Sequence, residues 1–367
     1  MKCRAALRCY LEGIFRQPVE VLDVEPFGGA ERDDVKGFGY GGPLRVRCRV
    51  GATPRELVVA RTRPVSGFGH DYPADRAWQA LFSHGAYNTF PRHAKSLDVG
   101  CVRASGELVS VADTVEFFQI VEKVDGALYR LDLERMLTDD ATTQDVARVI
   151  ALARFLAEAH ALKHDDRALY HRRIRELVGH GECLMGILDS YPHPYPPLPA
   201  SACEAIERAA IGWRWRVRER THRLSRVHGD FHPWNILFRE GTDFSVLDRS
   251  RGEWGEPADD VAALAINYLF FGLRRAAREG RPGMVAEPFR ALFRTFLAAY
   301  GEASHDDELS DVLPPFLAFR AFVLAHPAWY PTLDTVTRAT IVQFGRTMLD
   351  GGAFTLAALP SLAGAAA

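Results

Sequence analysis

The chain has no long apolar run, no paired cysteines and no excess of charge of either sign. Its longest apolar stretch, 261–273, falls short of the roughly 20 residues that a membrane-spanning helix needs, and reads as a buried helix. The six cysteines (Cys3, Cys9, Cys48, Cys101, Cys183, Cys203) are scattered, without a CxxC pair, so they read as reduced thiols rather than as a disulfide framework or zinc site. With 45 Lys and Arg against 47 Asp and Glu, the net charge of −2 advertises neither nucleic acid nor a membrane surface as a partner. No GxxxxGK[ST] occurs, which argues against a P-loop nucleotide site. Lys2, Arg4, Arg8 and Arg16 break up the apolar residues of the amino terminus, which therefore lacks the core of a signal peptide. A cytoplasmic location is expected.

What is present is ordinary globular composition, 47% hydrophobic and 25% charged over 367 residues, enough for two lobes. Ala6, Leu7, Tyr10, Leu11, Ile14 and Phe15 predict a short amphipathic helix. Leu44, Val46, Cys48 and Val50 alternate with Arg45, Arg47 and Arg49, the period-two pattern of a half-exposed strand. Residues 51–56 then predict a turn and 57–60 a second strand, followed by a helix over 74–84 and a strand over 116–124. Beyond Leu131 the period becomes helical, beginning with 145–161, and a proline-rich break at 191–199 precedes a helix over 202–223. The expected class is α+β: a small antiparallel amino-terminal lobe over 1–124, a connection at about 121–126, and a mainly helical lobe over 127–367. The last seven residues are expected to fray.

The informative segment is VHGDFHPWNILF, 227–238, followed after a short hairpin by FSVLD, 244–248. Gly229 and Pro233 keep the stretch between Asp230 and Asn235 from forming a helix, so it is a loop anchored by the strand at 236–238. Phosphoryl transfer needs one carboxylate to orient a hydroxyl and hard oxygen ligands for a divalent cation. Asp230, Asn235 and Asp248 supply that set. Taken singly, Asp230 also fits an Asx turn and Asp248 a strand-end cap. His228 and His232 stand four apart but lack the helix that would turn both toward one ion.

His228-Gly229-Asp230, Asn235 five residues on, and Asp248 at the next strand end resemble the aminoglycoside phosphotransferase and choline kinase superfamily. The resemblance implies a bilobal, protein-kinase-like fold, ATP and Mg²⁺ as cofactors, Asp230 as the catalytic carboxylate, and Asn235 and Asp248 as metal ligands. It further implies that His228 braces the loop and that Asp260, in GEPADDVA, supports it from a buried helix. The nucleotide would then sit on the first lobe, at the glycine-rich 36–43 with Gly37, Gly39 and Gly41, a stretch that by itself fits a flexible hairpin equally well. Arg61 stands where such folds place a lysine, with Asp75 or Glu56 as its acid, and Glu122 and Val124 fall in the connecting strand whose backbone would meet the adenine.

The acceptor is expected to be a hydroxyl of a small molecule: aminoglycoside-like, an amino alcohol, a sugar or an amino acid. Its candidate walls are 191–223 and 316–331, whose Trp213, Trp215, Trp329 and Tyr330 fit either a cage or core packing. The acidic run around Asp306, Asp307, Glu308 and Asp311 reads as a solvated turn. A nucleotide-binding pseudokinase, suggested by Arg61, and a protein-directed kinase are the alternatives.

Overall fold

Alternation in the first strand pair settles which face is buried. In the computed structural model, which describes residues 4–26, 40–66 and 68–360, Val46, Cys48 and Val50 point into a core with Leu7, Leu11 and Val19. Each such side chain contributes about 1.5–3 kcal/mol by leaving water. The arginines between them meet acids across the ladder: Arg45 with Glu25, Arg47 with Asp23 at 2.7 Å and Arg49 with Glu20 at 2.7 Å. The chain divides into two compact units, Met1–Val121 and Glu122–Ala367.

The first unit holds α1 (Arg4–Phe15), then β1 (Val19–Pro26), β2 (Leu44–Val50) and β3 (Thr53–Val59) in one antiparallel sheet of order β1-β2-β3. The turn is tighter than expected, because Thr53 already pairs with Val50 and the second strand starts there. Next come α2 (Pro73–Thr89) and a hairpin of β4 (Gly100–Val102) and β5 (Leu108–Ser110). The strand expected over 116–124 does not form. A strand exists only where its backbone groups find a partner, and none is offered among the described residues; Phe118 and Ile120 lie 85% and 87% exposed.

The second unit opens with β6 (Ala127–Leu128), α3 (Tyr129–Arg135), α4 (Thr143–Ala161), α5 (Arg167–Gly179), α6 (Leu184–Asp189) and α7 (Ala200–Val217). It continues with β7 (Ser225–Arg226), β8 (Ile236–Phe238), β9 (Phe244–Val246), β10 (Trp254–Gly255), α8 (Pro257–Arg278), α9 (Glu287–Ser304), α10 (Leu309–Leu324) and α11 (Thr335–Leu349). Helix α8 carries the long apolar stretch and is buried nearly throughout, packed between α9 and α10. Among the described residues no helix is long and apolar enough to cross a membrane. The fold class is α+β, as expected.

The acidic run is a structural knot, not a solvated turn. Arg223, 4% exposed, joins Asp306 to Glu256, while Arg220 bonds Glu308 and Asp311 and His222 bonds Glu308. A buried guanidinium needs such partners, because an uncompensated buried charge is strongly destabilising. The expected carboxy-terminal fraying concerns residues outside those described.

Candidate active site

The loop between β7 and β8 is built around one backbone requirement. Gly229 has φ +87°, and a Cβ there would stand 2.9 Å from the Cβ of Arg251, so a side chain is excluded by conformation and by space. Asp260, in the first turn of α8, turns its carboxylate onto the loop. Its Oδ2 accepts the His228 N–H and its Oδ1 the Gly229 N–H, both at 2.7 Å. His160, ending α4, adds its Nε2 at 3.1 Å to Asp260 Oδ2, while its Nδ1 meets the Tyr300 hydroxyl at 2.8 Å. Burial pushes the Asp260 carboxyl up, but the His160 hydrogen bond, the His160 and His228 charges and the backbone donor hold it below the usual range.

Asp230 follows, partly buried at 16% side-chain exposure. Its Oδ1 accepts from Arg320 Nη1, and His232 Nε2 lies 3.3 Å from its Oδ2. Burial raises its pKa, yet the His232 hydrogen bond and the charges of Arg320, His232 and Arg251 outweigh it and hold the group well below the carboxylate range. Asp230 is therefore an ionised, oriented carboxylate and a weak base. Arg320, on α10 and 6% exposed, also donates to Gly229 O at 3.0 Å and, through Nη2, to Asp259 Oδ1 at 2.7 Å, so one fork fixes the loop and its acid together. His228 accepts the Asp230 N–H at Nδ1 (3.3 Å), and burial lowers its pKa against the charges of Asp260 and Asp230.

Asn235 is buried and donates from Nδ2 to the Asp230 carbonyl at 3.1 Å, which leaves Oδ1 as an acceptor. The Leu247 N–H bonds the Asn235 carbonyl at 2.8 Å, so the β8–β9 ladder brings the backbone next to Asp248 alongside Asn235. Asp248 is exposed, at φ +53°, and makes no hydrogen bond among the described residues. One amide oxygen and one carboxylate suit Mg²⁺, which completes its shell with water and phosphate oxygens rather than an all-protein cage. Among the described residues no group of three or more His, Cys, Asp or Glu could hold a metal alone.

The other expected positions lie apart from this loop in the chain. Gly37 and Gly39 are outside the described residues; Gly41 bridges to Thr62 in the first unit. Arg61 is exposed and donates from Nε to the Gly42 carbonyl at 3.1 Å, whereas Asp75 accepts the Tyr72 N–H at 2.8 Å as a cap of α2. Glu122 and Val124 sit in a segment without helix or strand. Of the aromatics, Trp213 is core, bonded to Leu349 O at 3.1 Å, and Trp215 is exposed with Arg218 4.4 Å from its ring centroid.

Trp329 and Tyr330 instead line a cavity of about 290 Å³ beside Asp230, with Trp234 completing the aromatic wall. Arg320, Arg251 and Asn267 were not singled out by sequence reasoning. For Arg320 a signal existed: a lone arginine in FLAFRAFVL must find partners once that helix is buried.

A model of the phosphotransferase enzyme family (APH) matches residues 49–309, well over half of the chain. The chain belongs to this family. It is a phosphotransferase of the α+β class described above. Among solved structures, similarity is found to a glucosamine kinase in complex with glucosamine, ADP and inorganic phosphate, at 17% identity, 90% of this chain, 94% of that chain and TM-score 0.36. The amicoumacin kinase hAmiN in complex with AMP-PNP, Ca²⁺ and Ami is 14% identical over 91% of each chain, with TM-score 0.41. Choline kinase LicA from Streptococcus pneumoniae is 12% identical over 94% of this chain and 98% of that chain, with TM-score 0.35. No curated protein matches the chain.

Proposed function

We propose that this phosphotransferase moves the γ-phosphoryl group of ATP onto a hydroxyl of a small molecule, with residues 1–124 as the nucleotide-holding lobe and 127–367 as the catalytic lobe. The supporting observation is Asp230: an ionised carboxylate, fixed by Arg320 and by a loop braced on Asp260, opening onto a cavity of small-molecule size. Phosphoryl transfer is catalysed chiefly by positioning and by charge stabilisation, so a rigid, weakly basic acid suits it. The acceptor oxygen bonds to the γ-phosphorus, the bridging P–O bond breaks toward ADP, and the hydroxyl proton passes to Asp230 Oδ2 and on to water. Asn235 Oδ1 and Asp248 would hold Mg²⁺, which supplies neutralisation of the phosphate oxygens. Gly37, Gly39, Gly41 and Arg61, with the backbone at Glu122 and Val124, are assigned to the nucleotide.

The test is mass spectrometry of a metabolite extract incubated with MgATP and either the wild-type protein or Asp230→Asn. A compound that gains one phosphoryl group with the wild type, about 10²- to 10⁴-fold more slowly with the variant, supports the reading. Equal yields from both remove Asp230 from the chemistry, and no product from any hydroxylated compound moves the assignment to a pseudokinase.

A further inference from the structure

Asp230 is held at both carboxylate oxygens, and the loop itself sets the second hold. Arg320 Nη1 bonds Oδ1, while His232 Nε2 lies 3.3 Å from Oδ2. What the imidazole presents there depends on its other nitrogen. His232 Nδ1 accepts the backbone N–H of Trp234 at 3.2 Å. A backbone N–H is a fixed donor and cannot turn into an acceptor, so Nδ1 carries a lone pair and Nε2 carries the proton. Asn235 Nδ2 stands 3.4 Å from the same Nε2, but an amide nitrogen accepts nothing, and this one donates to the Asp230 carbonyl at 3.1 Å. The acceptor left for the Nε2 proton is Asp230 Oδ2.

The consequence is geometrical. A carboxylate with one oxygen free turns easily about its last side-chain bond, because that torsion is broad. With both oxygens engaged it cannot, and one lone-pair direction of Oδ2 is left for an incoming hydroxyl. Burial opposes the ionised form of Asp230, and the His232 hydrogen bond is the strongest influence acting against burial. The His232 side chain is 26% exposed and lines the cavity beside Asp230, so the bond is made where a hydroxyl would arrive.

We propose that His232 is a positioning residue: its Nε2–H, with the tautomer set by the Trp234 N–H, holds Asp230 in the rotation that turns a lone pair of Oδ2 toward the acceptor hydroxyl. This rests on the reading of Asp230 as the acid that meets that hydroxyl.

The experiment compares two replacements that each keep one side of the imidazole. Glutamine carries its amide nitrogen as many bonds from Cβ as Nε2 and keeps the donor to Asp230. Asparagine carries its amide oxygen as many bonds from Cβ as Nδ1 and keeps the acceptor for Trp234. Initial rates are followed by mass spectrometry in the metabolite extract as MgATP is varied, beside melting curves of each variant. His232→Asn should lower the apparent kcat by about 10- to 100-fold, the cost of a misplaced reacting group, with KM for MgATP unchanged and the fold intact. His232→Gln should recover most of that loss. A His232→Gln enzyme no faster than His232→Asn overturns the proposal, because the donor to Asp230 would then contribute nothing to turnover. NMR decides independently of turnover and of how either variant folds. Long-range proton–nitrogen correlation on the wild-type chain should place the His232 proton on Nε2, and Asp230→Asn should move that resonance. A proton on Nδ1, or a resonance indifferent to Asp230→Asn, overturns the proposal as well. If the wild type yields no phosphorylated compound in the extract, the kinase reading fails, and the NMR outcome still settles whether His232 holds Asp230.

Discussion

Replacing Arg320 by methionine removes the one side chain that ties Asp230, Gly229 and Asp259 together. The side chains are 7%, 16% and 23% exposed for Arg320, Asp230 and Asp259, so two carboxylates would be left with little water and without their bonded guanidinium, with only the His232 and Arg251 charges nearby. Truncating one member of a buried pair costs about 3–5 kcal/mol, and the partial exposure of both acids points to the lower end, about 3 kcal/mol. A unit of this size loses roughly 2–4 °C in Tm per kcal/mol, so the midpoint should fall by about 6–12 °C. Urea unfolding followed by circular dichroism, with an unchanged slope, measures it. If charge abandonment is the cause, Asp259→Asn in the Arg320→Met background should recover stability, with a coupling of about 1–3 kcal/mol. The variant should also change catalysis, since the Arg320 charge helps to hold Asp230 ionised; the acid limb of the kcat/KM profile should move to higher pH. A variant within about 0.5 kcal/mol of wild type, the ordinary range for an inconsequential substitution, would refute the reasoning.

Gly229→Ala should cost about 1–2 kcal/mol for the left-handed backbone, with further loss from the contact at Arg251, seen as a lower melting temperature together with reduced turnover. Asp248→Ala should abolish Mg-dependent ATP binding, read by calorimetry, while stability stays within about 0.5 kcal/mol, because the side chain is exposed and makes no bond among the described residues; unchanged MgATP affinity would remove it from the metal site. His228 is held below its ordinary pKa by burial. The unfolded chain therefore takes up that proton first, and stability should be complete above about pH 6.5 and decline as pH falls through that value. His228→Gln should flatten that slope in denaturation measured between pH 5 and 7.

The loop that carries Asp230 could be read from the chain because its logic is local. Gly229 and Pro233 forbid a helix, the apolar triplet 236–238 marks β8, Phe244 and Val246 mark β9, and the acids stand at fixed offsets. Strands with one buried face were legible for the same reason, as Val46, Cys48 and Val50 show. What depended on distant partners was not. The segment 116–124 has strand composition without a ladder to join, and the acids near Asp306 look solvated until Arg220 and Arg223 arrive from some 85 residues away. Asn267 looks like one polar residue in an apolar helix, and nothing in its neighbours along the chain tells that it borders a cavity.

Helix α8 does two jobs seven residues apart. Asp260 holds the loop that carries Asp230 and Asn267 borders the cavity beside it, two helical turns, or roughly 10 Å, further along the same side. The helix is buried nearly throughout, so it has no freedom to slide or roll without carrying both ends with it. Any change in the shape of that cavity that leaves the loop in place is thereby channelled into single side-chain exchanges at positions such as Ala263, Ile266 and Asn267. A lineage that instead re-seated the helix would lose the alignment of the loop that carries Asp230 in the same step.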